Sequence, residues 1–137
     1  IPTIKAVNNM KSGRNSFASG SIFAFLAGVC GAFGAHGREN RLSPERLAIW
    51  KTGAQYQMYH ALALFVVAFA AEKIPGSLVV WAGRMFVIGI LLFSGSLYLF
   101  TWTGVRLWGA VTPFGGVAFL AGWLLLGIAG WRNGRSH

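Results

Sequence analysis

The stretch LVVWAGRMFVIGILLFSGSLYLFTWT, residues 78–103, decides how this chain is read. It is apolar almost throughout, carries Arg84 as its one charge, and sets Trp81 and Trp102 21 residues apart. At the α-helical rise that separation is about 31 Å, the thickness of bilayer hydrocarbon, so each indole can occupy one interface. Arg84 lies near enough to the helix start to snorkel outward.

Working outward, Glu72, Lys73, Pro75 and Gly76 interrupt the apolar pattern just before this span. They leave a turn too small to hold a domain, so the helices on either side should form an antiparallel hairpin. The preceding helix starts at Ser43-Pro44-Glu45, with Ser at the cap, Pro at the first helical position and an acid in the first turn. Its first part, Glu45 to Gln57, is amphipathic, and only Met58 to Ala71 is apolar. Fourteen residues are too few to cross, so Tyr56 and the turn before it must lie within the membrane boundary. Toward the C-terminus, Gly104 to Val111 reads as a loop anchored by Trp108, and Thr112-Pro113 opens a last span kept slim by Gly115, Gly116, Gly122 and Gly127. The expected fold is all-α, an integral membrane four-helix bundle over 17–131. Its spans fall near 17–36, 45–72, 78–103 and 112–131, between a basic extension (1–16) and a basic tail (132–137).

Composition agrees, with 55% hydrophobic and 11% charged residues. The net charge of +9 would suggest nucleic acid in a soluble chain, but the bases sit at helix ends and tails, without the aromatic interleaving that strand binding uses. Lys5, Lys11, Arg14, Arg132 and Arg135 are instead expected to meet anionic lipid headgroups, cardiolipin among them. An even number of spans puts both termini on one side. That side carries Lys5, Lys11, Arg14, Lys73, Arg84, Arg132 and Arg135 against Arg38, Arg41, Arg46, Lys51 and Arg106, which favours termini inside. The acid-free segment through Ser16 reads as what remains after an organellar presequence is removed. Cys30 is the only cysteine, which rules out an intrachain disulfide and a cysteine zinc cluster.

In the first span Gly20, Ala24, Gly28 and Ala32 fall four apart, a small-residue stripe along which another backbone can approach closely. Packing inside the bundle is the plainer use, and docking to another subunit the sharper one. His36, at the end of this span, and His60, one turn into the apolar part of the second, could approach each other near one interface as a haem, metal or quinone site. The preferred reading is that each ring satisfies a backbone carbonyl or a Tyr hydroxyl. Gln55, Tyr56, Gln57 and Tyr59 surround His60, the tyrosines as an aromatic girdle or, alternatively, as part of a headgroup or quinone pocket. Glu39, Glu45 and Glu72 all lie at or beyond helix ends, so the chain has no mid-depth carboxylate for a proton relay and no buried acid to orient a triad histidine. The expected protein is not an enzyme, and no cofactor or metal is expected.

Five blocks in order carry a resemblance: GAFGAHG (31–37), YQMYHALAL (56–64), FSGSLY (93–98), TPFGG (112–116) and Gly122-Trp123. Over about Gly20 to Trp131 the chain resembles the small four-helix membrane family catalogued as domain of unknown function 423, whose animal mitochondrial relatives are called transmembrane protein 256. The resemblance includes both histidines but assigns neither a role, since the family has no established biochemical function. The expected function is therefore that of a non-catalytic accessory subunit of a large energy-transducing membrane complex, with other membrane subunits and lipids as partners. The mitochondrial inner membrane and its respiratory chain come first, with a thylakoid or bacterial inner membrane as other settings. A small stand-alone transporter, channel or lipid-handling protein using the His36/His60 region is the alternative.

Overall fold

The computed structural model describes residues 3–36 and 42–135, without the side chains of Lys5, Ala35 and His36. Among the described residues all regular structure is helical, in four rods: α1 (Ile4–His36), α2 (Pro44–Lys73), α3 (Ser77–Thr103) and α4 (Leu107–Arg135). α1, α3 and α4 are long and apolar enough to cross a membrane. α2 escapes that description because its first half is polar, with Arg46, Lys51, Gln55 and Gln57 along it.

Local chemistry accounts for the helix ends. Thr3 Oγ1 accepts the Ala6 N–H at 3.1 Å, so α1 starts well before Phe17 and absorbs most of the segment read as an extension. Ser43 caps α2 as expected, its side chain accepting the Arg46 N–H, with Pro44 and Glu45 in the first turn. The reverse turns rest on Gly76 at φ 110° and Gly104 at φ 72°, backbone that a side chain would strain. α4 starts at Leu107, earlier than Thr112-Pro113 suggests. Three-residue bonds from Trp108 N to Val105 O and from Gly109 N to Arg106 O open it, and Pro113, the seventh residue of the helix, has no N–H to return to Gly109 O.

α1 lies antiparallel on α2, with Phe23 beside Gln57, Cys30 beside Trp50 and Asn9 beside Ala71. The face of α1 turned inward is Asn9, Gly13, Ser16, Gly20, Phe23, Ala27, Cys30 and Gly34, spaced alternately four and three. Such a mean of 3.5 residues keeps one seam on a partner. Steps of four advance about 40° each around a 3.6-residue helix. The expected stripe therefore drifts off the interface. Gly20 packs against α2, where a Cβ would lie 2.9 Å from Ala61 O, and Ala24 is half-buried, but Gly28 and Ala32 are exposed and a Cβ on Gly28 would meet nothing.

α2 and α3 share the apolar core, with Leu64, Val67, Val79, Ala82 and Phe86 essentially inaccessible and Phe119 of α4 closing it. The α3–α4 crossing is tighter still. Gly115 presses on the backbone of Phe93, and Gly89 faces the Phe119 ring. There α3 widens to π geometry over Ile90–Ser94, and Ser94 Oγ uses the bulge to donate to Gly53 O of α2 at 2.7 Å.

Candidate functional site

His60 lies at the centre of the bundle, 5% exposed, and both of its ring nitrogens are engaged. Nδ1 is 2.8 Å from Tyr56 O one turn back, and Nε2 accepts the indole N–H of Trp123 on α4 at 3.1 Å. These partners assign the neutral tautomer with the proton on Nδ1, because the indole can only donate and the carbonyl can only accept. The ring stacks on Phe119 with centroids 3.5 Å apart and planes 5° from parallel, and Phe86 and Trp123 close the edges. A metal, haem or quinone group at Nε2 would have to displace Trp123.

The alternative in which His36 approaches His60 does not occur, and His60 instead meets a backbone carbonyl, that of Tyr56. The α1–α2 register sets the last turn of α1 opposite the first turn of α2, some 16 residues and about 24 Å from His60 along the axis. The histidine pair fails on backbone geometry alone. The side chain of His36 lies outside the described residues.

Two further polar junctions hold the helices together. Gln57 donates to Phe23 O and accepts from the Tyr98 hydroxyl, both at 2.8 Å, which ties α1, α2 and α3 at one point. Trp50 donates to Cys30 O at 2.8 Å and packs its ring on Tyr98. Among the described residues no buried side-chain nitrogen or oxygen lacks a partner. That matters in lipid, where water cannot compensate.

Two openings lie among the described residues, near these groups and at the terminal end. Beside His60 an apolar groove of about 680 Å³ runs between α2 and α4, with Tyr56, Tyr59, Phe93 and Leu120 in its walls. At the terminal end of the bundle a larger cleft of about 1390 Å³ runs over α3 between α1 and the end of α4. Of the bases expected to meet lipid, Lys11 and Arg132 line it, joined by Lys73 and Arg84, while Arg14 and Arg135 do not; Lys5's side chain is outside the described residues. Arg84 lays its guanidinium 4.7 Å over the Trp81 ring. Trp123, Lys73 and Arg84 were not singled out as site residues by sequence. The signal for the two bases was their location on the terminal side, close to either end of the same short turn.

Among the described residues, four packed helices, three of them apolar enough to cross a bilayer, define a small polytopic membrane protein. The profile of the family described as protein of unknown function (DUF423) matches residues 30–116, and the chain belongs to that family. It is 51% identical over 111 residues to the UPF0382 membrane protein YwdK of Bacillus subtilis, covering 80% of this chain and 90% of that one. To the UPF0382 inner membrane protein YgdD of Escherichia coli K12 it is 40% identical over 124 residues, covering 88% and 93%. No solved structure matches.

Proposed function

We propose that this protein is a non-catalytic accessory subunit of a large energy-transducing membrane complex, with the mitochondrial respiratory chain as first candidate and neighbouring subunits and membrane lipids as its partners. One observation carries the reading. The groups with chemical potential inside the bundle, His60, Gln57, Trp50 and Ser94, are spent on joining helices. The exposed small residues of α1, Ala32 and Gly28, leave a backbone surface against which a neighbouring helix can pack. The alternative of transport or lipid handling through His36 and His60 loses its shared site, since the two lie on different levels of the bundle.

The test is native-gel migration of the endogenous protein after mild detergent extraction, with mass spectrometry of its band. Comigration with a respiratory complex is the expected result. Migration as a small homo-oligomer sinks the accessory reading.

A further inference from the structure

The cleft at the terminal end is built differently from the rest of the surface. Along α1, Asn8, Lys11, Ser12, Asn15 and Ser19 recur at helical spacing and face it as a polar stripe. Opposite, α3 supplies Ser77, Trp81 and Arg84 together with the apolar Leu78, Val80, Val87 and Ile88, so its wall mixes polar and apolar groups. Lys73, from the end of α2, and Arg132, near the end of α4, complete the basic rim. The acid nearest in sequence, Glu72, does not line the cleft, nor does Glu45. Four bases are thus gathered where neither of the described acids, Glu45 and Glu72, lies.

We infer that this cleft holds one anionic phospholipid, its phosphate between Lys11, Lys73, Arg84 and Arg132 and its acyl chains running down over Val87 and Ile88. Three features select this occupant. The charge is complementary to a phosphate, with Arg84 held in place by stacking on Trp81. The apolar side chains of α3, Leu78, Val80, Val87 and Ile88, give acyl chains a surface to lie on beside the basic rim. The volume of about 1390 Å³ exceeds the ~300–1,000 Å³ of ordinary small-molecule pockets and accommodates a headgroup with part of its chains. The site does not depend on the accessory reading, because it needs only this chain and a membrane.

The experiment is native mass spectrometry of the purified full chain, presented with phosphatidylglycerol and phosphatidylcholine of identical acyl chains. The expected result is at least tenfold preferential retention of one phosphatidylglycerol. Lys73→Gln with Arg84→Gln should bring the preference close to one, while Arg14→Gln with Arg135→Gln, the same charge loss outside the cleft, should leave it unchanged. Helical circular dichroism checks that each variant is folded. Should the Arg84 change unfold the chain, Lys11→Gln with Lys73→Gln takes its place. Equal retention of the two lipids, or an equal loss in the control pair, overturns the proposal. So does displacement of the lipid by millimolar inorganic phosphate, which would make the site one for free phosphate. A chain that fails to comigrate with any complex yet keeps the lipid preference would refute the accessory reading and leave this one standing.

Discussion

Trp123 on α4 donates its indole hydrogen to Nε2 of His60 on α2 at 3.1 Å, and this bond joins two helices whose other contacts at this level are aromatic stacking. It holds the imidazole neutral, oriented and closed to other ligands. The indole also packs edge-on against Phe86 with centroids 4.9 Å apart, so one side chain both satisfies the histidine and fills the core beside it.

Trp123→Phe keeps a ring against Phe86 and removes the donor. A loss of about 1 kcal/mol is expected, the usual net value of such a bond, and somewhat less if the freed Nε2 finds water. Equilibrium unfolding in detergent measures it, and unchanged stability would show that the bond contributes nothing to the bundle.

Gln57→Leu leaves the Phe23 carbonyl with its helical bond alone and removes the Gln57 acceptor of the Tyr98 hydroxyl. The single change should cost about 1–3 kcal/mol, because two interhelical bonds are lost where water is scarce. Adding Tyr98→Phe should recover part of that loss, and a double change as costly as the two singles added together would argue against a shared junction.

At the α3–α4 crossing, Gly115→Ala puts a methyl onto the Phe93 backbone, which cannot retreat as a flexible side chain would. A cost of about 1–3 kcal/mol or more follows. Gly127→Ala, on the same helix but with nothing near its Cβ position, should leave stability unchanged or raise it slightly. Unfolding midpoints of the two variants should therefore move apart.

Gly20→Leu and Gly28→Leu separate the two uses of the α1 stripe. Gly20→Leu collides with Ala61 O and the Leu64 side chain and should unfold or strongly destabilise the bundle. Gly28→Leu has room, so the isolated protein should stay within about 0.5 kcal/mol of the parent. If the accessory reading holds, the folded Gly28 variant should nonetheless lose comigration with its complex on native gels.

Much of the architecture was legible in one dimension. Long apolar runs bounded by Pro, Gly and charges define helices and turns whatever packs against them, which is why residues 78–103 and Ser43-Pro44-Glu45 were read correctly. The seam of α1 was partly legible, since Gly13, Ser16, Gly20, Ala27 and Gly34 are all small. The four-residue spacing of Gly20, Ala24, Gly28 and Ala32 drew attention first, and only the alternation of three and four keeps to one face.

The functional residues divide the same way. Sequence alone placed a four-helix protein in a membrane and marked His60 as a polar group near one interface, because hydropathy and helix signals are local properties of the chain. It could not say that His36 lies about 24 Å from His60 along the axis. Nor could it say that Trp123 closes the imidazole, or that Lys73 and Arg84 join Lys11 and Arg132 around one cleft. Those facts depend on helix register and rotation, which are set by where Gly20, Gly89 and Gly115 let backbones and rings approach, and that is decided only when the helices pack.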